Sequence, residues 1–211
     1  MSDFALEAER SRTAKVALRN QLLTMRKTLP EDVRRSASAS VQASTLALVR
    51  RERPTLCAAY VPVGGEPGGP ALPDLLAGAL PPGGRLLLPV LLPSNDLDWA
   101  IHDGTLADGP YGLRQPPGVP LGVEAVSQVE LIIVPALAVS RTGHRLGRGG
   151  GSYDRALARA ARAHTVALLH DGELLDDVPA EPHDRPVHAA ITPADGWVPL
   201  GAPPGGRNKL R

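Results

Sequence analysis

The feature that most constrains the fold is the apolar segment Glu130–Val139, in which nine consecutive residues after Glu130 carry no charged or polar side chain. A strand that is apolar on both faces needs cover on both sides, which is typical of parallel sheets. Proline interrupts the segment, and it is much shorter than the roughly 18–20 apolar residues of a membrane-spanning helix. It therefore predicts a buried central strand. Further strands are predicted at Thr55–Val63, Arg85–Leu92, Leu97–His102, Thr165–His170 and Val187–Thr192.

Helical patterns alternate with these strands. Between Glu7 and Leu29, the side chains of Leu18, Leu22, Met25 and Leu29 recur at intervals of four, three and four residues. This spacing predicts an apolar stripe along one helix, which the following proline ends. Three further helices are predicted at Glu31–Arg51, Ala71–Leu80 and Ser152–Ala163.

The alternation of buried strands and helices predicts an α/β fold: a three-layer, doubly wound, mostly parallel sheet with helices on both faces. The 211 residues can bury such a core without disulfides. Aromatic residues make up only 3 % of the chain, so aliphatic side chains must fill the core. We expect one domain over residues 1–211, with both N-terminal helices packed against the sheet and with residues 1–12 and 203–211 frayed.

Charge and cysteine content exclude several classes of function. Lys and Arg number 23 against 22 Asp and Glu, and a net charge of +1 is too small for unspecific nucleic-acid binding. The single cysteine, Cys57, cannot form an internal disulfide, and its apolar neighbours predict a buried, unreactive thiol. The first residues lack the basic-then-apolar pattern of a signal peptide. We expect a cytoplasmic monomer that acts on small molecules and binds neither nucleic acid nor a membrane.

The clearest chemical signal is the glycine-rich loop after the central strand, where four of the five residues 147–151 are glycines. Glycine lets the backbone approach a ligand and direct several N–H groups at one point. The N-terminus of the following helix adds partial positive charge, and Arg145 and Arg148 add two guanidinium groups. The loop predicts a site for an anion, most simply phosphate, with a flexible turn and solvated arginines as the alternative.

Two familiar phosphate loops do not match this pattern. A P-loop requires a lysine followed by serine or threonine after the last glycine, and Ser152-Tyr153 stands there instead. The dinucleotide fingerprint requires glycine at the position of Ser152.

Charged residues outside the loop are candidates for the same site. Asp154 fits either a carboxylate at the start of a helix or a magnesium ligand beside phosphates. Lys15 and Arg19, with Arg26 two turns further on, share one helix face. That face fits either a solvated basic surface or an anion site.

Two acids near predicted strands have the same ambiguity. Glu66 follows the first strand and Asp184 precedes the last one, so each fits a surface position or a pocket at the end of a strand. His183 and His188 lie five residues apart without a third ligand nearby in sequence, which argues against a zinc site.

Taken together, these segments resemble the 5-formyltetrahydrofolate cyclo-ligase family, whose activity is also called 5,10-methenyltetrahydrofolate synthetase. Residues 134–139 and 143–155 are similar to its signature, which reads approximately Val-Pro-Gly-Leu-Ala, a spacer, then Gly-x-Arg-Leu-Gly-x-Gly-x-Gly-Tyr-Tyr-Asp. Lys15 and Arg19 resemble its ATP-contacting helix. Other similar segments, in the same order, are Tyr60–Pro62 with Glu66, Tyr111–Pro116 and His183–Asp184.

The resemblance implies cyclisation of 5-formyltetrahydrofolate to 5,10-methenyltetrahydrofolate, dependent on ATP and Mg²⁺, with release of ADP and phosphate through a phosphorylated formyl intermediate. It implies catalytic roles for Arg145 and Arg148 and metal-binding roles for Asp154 and Asp184. The implied ATP-binding residues are Lys15, Arg19, Arg145, Leu146, Gly147, Arg148, Gly149, Gly150, Gly151, Ser152 and Tyr153. The implied folate-binding residues are Val61, Glu66, Arg148, Gly149, Gly150, Gly151 and Ser152.

The sequence departs from the family pattern at Ser152, which replaces the first tyrosine of a tyrosine pair. Stacking against the pterin would then fall to another aromatic residue, and Trp99 and Tyr111 are the candidates. Lesser departures are Ala136 for glycine, Gln115 for glutamate and His188 for an acidic residue. Three alternatives stay open: a folate- or nucleotide-binding relative without strong catalysis, a sugar-phosphate isomerase-like enzyme, and an RNA-binding protein.

Overall fold

The computed structural model describes residues 3–181 and 184–201. This part of the chain forms four α-helices, two 3-10 turns and twelve strands. The helices are α1 (Asp3–Thr28), α2 (Glu31–Glu52), α3 (Leu72–Ala79) and α4 (Ser152–Arg159), and the 3-10 turns are Pro110–Gly112 and Val123–Gln128. The strands are β1 (Leu56–Ala58), β2 (Arg85–Leu91), β3 (Leu97–Ile101), β4 (Ala107–Asp108), β5 (Arg114–Gln115), β6 (Leu131–Pro135), β7 (Ala138–Ser140), β8 (Arg145–Leu146), β9 (His164–Leu168), β10 (Leu174–Leu175), β11 (Ala189–Thr192) and β12 (Gly196–Pro199).

Seven strands form one large sheet in the order β12-β11-β9-β6-β1-β2-β3. Its five inner strands are parallel, and the edge strands β3 and β12 run antiparallel to their neighbours. From β1 the chain first builds outward through β2 and β3, then crosses to β6 on the other side of β1. The winding therefore reverses between β1 and β6, and ligands of open α/β sheets usually bind at such a reversal, beyond the carboxyl ends of the strands.

Helices cover both faces of this sheet, which confirms the three-layer prediction. On one face, Val41 of α2 and Leu72 of α3 pack in a cluster with Ile133. On the other face, Ala156 of α4 packs in a cluster with Ile132. Consecutive residues of β6 thus supply opposite cores, as the two-residue period of a strand requires.

Cys57 lies in the first of these cores and is completely buried. Burial raises the pKa of its thiol to about 12. The prediction of a buried, unreactive cysteine is confirmed, because a thiol at this pKa does not ionise near neutral pH.

The first helix differs from its prediction. Leu22 of α1 packs with Leu146 in a cluster against a second, three-stranded sheet (β10-β7-β8) rather than against the large sheet. Met25 is 48 % exposed, whereas Lys15 and Arg26 are buried. The prediction that Met25 belongs to a buried stripe was wrong, and so was the solvated basic face, because acidic residues from the C-terminal half pair with these cations.

Several strand boundaries also differ from the prediction. The run Glu130–Val139 forms two strands, because the chain leaves the large sheet after β6 and enters the small sheet as β7. Strand β8 lies within the segment predicted to be a loop, and β4, β5, β10 and β12 were not predicted. Only three residues of the run Thr55–Val63 form a strand.

The predicted terminal fraying stays a prediction. Helix α1 begins at Asp3 in the structure, and residues 203–211 lie outside the described part of the chain, as does His183. None of the described helices has the length and apolar character needed to cross a lipid bilayer.

Candidate functional site

A cleft of about 770 Å³ opens beside the reversal point of the large sheet, with α1 forming one wall. It is lined by segments that follow β1, β2 and β6 and by the glycine-rich loop. The cleft brings together all the site residues implied by the resemblance. These are Lys15, Arg19, Val61, Glu66, Arg145, Leu146, Gly147, Arg148, Gly149, Gly150, Gly151, Ser152, Tyr153, Asp154 and Asp184.

Positive charge is concentrated in this cleft. Among its described lining residues are seven Lys or Arg side chains and four Asp or Glu side chains, a surplus of three positive charges. The whole chain, by contrast, has a net charge of only +1. A cleft with this charge favours a polyanionic ligand.

The backbone of the glycine-rich loop depends on glycine at two positions. Gly149 has φ 102° and Gly151 has φ 68°, in the left-handed region that other residues rarely adopt. Gly151 also precedes α4 as its N-cap, and no side chain in the described part of the chain caps the helix. The N–H groups of the first turn of α4 are therefore available to an anion.

Arg145 and Asp154 form an ion pair at the base of the loop. Nη2 of Arg145 donates to Oδ1 of Asp154 at 2.8 Å, and Nη1 donates to the carbonyl oxygen of Pro135 at 3.2 Å. The guanidinium carbon lies 5.8 Å from the ring centroid of Tyr153. Nε of Arg145 is buried and has no hydrogen-bond partner among the described residues.

Arg148 and Glu66 form an ion pair across the reversal point. Nε of Arg148 donates to Oε1 of Glu66 at 3.0 Å, and the backbone N–H of Val63 donates to Oε2 at 3.0 Å. The side chain of Arg148 is 55 % exposed, whereas that of Glu66 is 8 % exposed. Glu66 is thus fixed in the wall, whereas the guanidinium of Arg148 is largely open to solvent.

Two cations of α1 face the loop and the segment after β10. Nε of Arg19 donates to the carbonyl oxygen of Gly147 at 2.9 Å. Nζ of Lys15 donates to Asp184 at 2.7 Å and lies 3.2 Å from Glu181. The wall made by α1 is therefore already bonded to the rest of the cleft before a ligand arrives.

Arg26 has a structural environment rather than a ligand-binding one. Its Nε and Nη2 donate to the two carboxylate oxygens of Glu173, each at 2.7 Å, and both side chains are 5 % exposed. The backbone N–H of His170 donates to Glu173 as well, and Nε2 of His170 lies 2.9 Å from the carbonyl oxygen of Gly65. This chain of bonds holds the residue that precedes Glu66.

The aromatic residues near the cleft differ in accessibility. Tyr111 lines the cleft and is 89 % exposed, so it can contact a ligand. Trp99 is completely buried in the core behind α4. Tyr153 lines the cleft and packs against both cores, and burial raises its pKa above the usual range.

Sequence reasoning missed Arg12, Asn95 and Glu181, which also line the cleft. Arg12 precedes Lys15 by three residues on the same helix face, a signal that could have identified it. Asn95 lies in the turn between β2 and β3, and no local pattern of the sequence connects that turn to the glycine-rich loop.

No group of three or more His, Cys, Asp or Glu side chains suited to a metal ion occurs within residues 3–181 and 184–201. Asp154 and Asp184 instead pair with Arg145 and Lys15. Magnesium that arrives on phosphate oxygens needs only one or two protein carboxylates, and both residues line the cleft. The residues therefore fit a metal ion delivered with a nucleotide, although they would not hold one alone.

Comparisons with known proteins agree on one family. Residues 11–193 match the family model described as the 5-formyltetrahydrofolate cyclo-ligase family. A 5-formyltetrahydrofolate cyclo-ligase from Mycolicibacterium smegmatis is 44 % identical over 196 residues, which cover 89 % of this chain and 97 % of the relative. The Escherichia coli K12 protein of the same name is 34 % identical over 121 residues, covering 54 % of this chain and 66 % of that protein.

Solved structures show the same fold. The 5,10-methenyltetrahydrofolate synthetase of Aquifex aeolicus superposes with a TM-score of 0.75 and 26 % identity, covering 93 % of this chain and 96 % of that one. The synthetase of Mycoplasma pneumoniae gives a TM-score of 0.64 at 17 % identity, covering 83 % and 96 %.

Proposed function

The chain belongs to the 5-formyltetrahydrofolate cyclo-ligase family of ligases, and we propose that it converts 5-formyltetrahydrofolate to 5,10-methenyltetrahydrofolate with ATP and Mg²⁺. ADP and phosphate are the other products. The observation that carries the proposal is the 3.0 Å contact between Arg148 and Glu66. It joins a phosphate-binding loop to a carboxylate on the other side of the reversal point, within one cleft.

The two sides of the cleft suit different parts of the reaction. The side of Arg19, Arg145 and the loop amides offers donors for the phosphates of ATP. The side of Val61 and Glu66 offers an apolar surface and a carboxylate that can accept hydrogen bonds from the amino and ring N–H groups of a pterin. Tyr111 is the accessible aromatic residue for stacking, in place of the tyrosine that Ser152 replaces.

In the first step, the formyl oxygen attacks the γ-phosphorus of ATP, the bond from that phosphorus to the bridging oxygen breaks, and ADP leaves. Phosphoryl transfer requires positioning and charge neutralisation more than a protein nucleophile. Arg148 is suited to follow the transferred group because its side chain is exposed and its Nε donates to Glu66, its one hydrogen-bond partner within residues 3–181 and 184–201. Arg145 is suited to provide a fixed positive charge beside the phosphates, because Asp154 and the carbonyl oxygen of Pro135 hold its guanidinium group.

In the second step, N10 attacks the activated formyl carbon, the carbon–oxygen bond breaks, and phosphate leaves with the bonding electrons. N10 loses its proton, and the five-membered ring closes as the methenyl cation. Loss of one charged contact to the phosphoryl group in such a site costs about 2–4 kcal/mol of barrier, as for other oxyanion donors.

Magnesium bound to the nucleotide would neutralise phosphate charge and orient the γ-phosphoryl group. Asp154 and Asp184 are the carboxylates that would hold it. Their partners Arg145 and Lys15 hold both carboxylates in place at the cleft lining. Lys15 and Arg19 then contribute to ATP binding from the wall formed by α1.

The test is the absorbance change when the purified full-length chain is mixed with 5-formyltetrahydrofolate, ATP and Mg²⁺. The methenyl product is a conjugated cation with a new long-wavelength band. A band that requires protein, ATP and Mg²⁺ together supports the proposal. Its absence from protein that unfolds cooperatively would overturn it, and thermal stabilisation by the same two ligands would then indicate a binding relative without catalysis.

A further inference from the structure

Ser152, which stands where the family pattern has a tyrosine, makes an interaction that a ligand-binding role does not explain. Its hydroxyl donates to the carbonyl oxygen of Asn95, 57 residues earlier in the chain, at 2.5 Å. Nη2 of Arg155, one helical turn further along α4, donates to the same oxygen at 2.6 Å. The N-terminus of α4 is thus hydrogen-bonded to the backbone of the turn between β2 and β3.

The next residue of the turn strengthens this contact. Asp96 accepts hydrogen bonds from Nη1 and Nη2 of Arg159 at 3.0 and 2.7 Å, and Nε of Arg155 lies 3.6 Å from the same carboxylate. The Arg159 hydrogen bonds hold the pKa of Asp96 below its usual range. Asn95 itself has φ 60°, a conformation that asparagine tolerates but that must be held in place by its surroundings.

This turn is a wall of the proposed folate-binding side. Leu91, Asn95 and Leu97 line the main cleft, and Leu91 and Asn95 also border a hollow of about 130 Å³. The other residues that line this hollow beside the cleft are Leu92, Pro93, Pro110 and Tyr111. Its lining is mostly apolar and includes the accessible aromatic residue, so movement of the turn would change the surface offered to a flat ring.

We propose that Ser152 is a positioning residue. Its hydroxyl and the guanidinium of Arg155 hydrogen-bond the β2–β3 turn to the end of the glycine-rich loop, and these two bonds are called the clasp below. The clasp fixes the position of the wall that receives the folate substrate. The proposal rests on the proposed function for the identity of that substrate. In this chain the position therefore supplies a bond between the two sides of the cleft, where the family pattern has a tyrosine side chain.

The clasp and direct ligand binding by Ser152 would affect the two KM values differently. A residue that touched the phosphates would affect ATP, whereas the clasp acts on the turn and therefore on the folate side. For Ser152→Ala we expect the KM for 5-formyltetrahydrofolate to rise about fivefold, the effect of one net hydrogen bond. The KM for ATP should rise by a smaller factor, because the loop amides, Arg145 and Arg148 are unchanged.

Hydrogen exchange supplies a readout that does not depend on activity. The turn is closed by the N–H of Leu92 to the carbonyl oxygen of Asp96 and by the N–H of Asn95 to the carbonyl oxygen of Leu92. These two amides should exchange faster in Ser152→Ala than in the unmodified chain, while the amides of β6 stay protected. Ser152→Thr keeps the hydroxyl and should restore both the KM and the protection.

Ser127→Ala is the matched control, because Ser127 bonds only to nearby residues on the surface and lies outside the cleft. It should change neither readout. Unchanged folate KM and unchanged exchange in Ser152→Ala would overturn the clasp, and so would a rise confined to the KM for ATP. If the unmodified chain makes no product, the proposed function fails, but the exchange result still decides whether Ser152 holds the turn.

Discussion

Helix α1 and the glycine-rich loop both contribute cations to the same cleft, but these cations differ in burial. On α1, Lys15 and Arg26 are buried and paired with carboxylates from the C-terminal half of the chain. On the loop, Arg148 is 55 % exposed and makes one ion pair. A pair with both partners buried is costly to break because both charges are desolvated, whereas an exposed arginine can turn to water or to a ligand. The difference suggests that α1 fixes the shape of the cleft and that the loop supplies the group that moves with the substrate.

The largest expected effect comes from the buried side of this comparison. Arg26→Ala leaves Glu173 charged and buried, so the free energy of unfolding should fall by about 3–5 kcal/mol. Denaturant unfolding measures this change. Arg35→Ala is the control, because Arg35 and Glu31 are at least 75 % exposed and their pair should contribute less than about 1 kcal/mol. Equal stabilities of the two variants would contradict the proposed division of roles.

For the exposed Arg148 we expect a large effect on turnover and a smaller effect on stability. Arg148→Ala should lower kcat by about 10²–10³-fold, the cost of one donor to a developing oxyanion. Its free energy of unfolding should fall by about 1–2 kcal/mol, less than in Arg26→Ala, because Glu66 loses one partner but keeps the hydrogen bond from the N–H of Val63. Steady-state turnover and denaturant unfolding measure the two quantities on the same preparation.

A matched surface arginine controls the Arg148 experiment. Arg141 is exposed, pairs with Asp176 and lies outside the cleft, so Arg141→Ala should leave both quantities unchanged. Unreduced turnover in Arg148→Ala would remove this residue from the proposed mechanism.

Arg19 lies between the two regions, because it belongs to α1 but bonds to the loop through the carbonyl oxygen of Gly147. Arg19→Ala should raise the KM for ATP about tenfold, the scale of one charge-assisted hydrogen bond. The KM for 5-formyltetrahydrofolate should change less. Lys27→Ala on the exposed side of the same helix is the control. If Arg19→Ala raises the KM for 5-formyltetrahydrofolate more than the KM for ATP, Arg19 belongs to the folate side of the cleft and its proposed role is wrong.

The smallest effect is expected at the Asp96–Arg159 pair, whose side chains are 15 % and 22 % exposed. Hydrogen bonds from Arg159 lower the folded-state pKa of Asp96, so the pair stabilises the fold above the unfolded pKa of about 3.9. That contribution is lost as pH falls through the lower folded-state pKa. Unfolding free energies of the unmodified chain and Asp96→Asn should therefore converge on acidification, and a constant difference down to pH 2 would contradict the assignment.

Local pattern predicted much of the scaffold. The apolar runs identified the inner strands, since continuous apolar sequence is suited only to a sheet covered on both faces. The short strands β4, β5, β10 and β12 escaped prediction because two to four residues carry too little periodicity. Met25 was misplaced because helical spacing identifies a face but not what packs against it.

The site was predicted in the same uneven way. The glycine-rich loop was visible in sequence because its chemistry lies within a few consecutive residues. The ion pairs of Arg26 with Glu173 and of Lys15 with Asp184 join residues more than 140 positions apart. Nothing in the local pattern distinguishes such cations from solvated ones.

The sequence by itself therefore determined the layered α/β fold and the residue types of the glycine-rich loop, because both depend on local spacing, and its resemblance to a known pattern indicated the family. Only the tertiary structure decided which charges are buried, that Arg148 meets Glu66, and that Ser152 holds the β2–β3 turn. Those outcomes depend on where the sheet reverses its winding and which segments meet at its edge. Burial then sets how strongly each resulting pair is held.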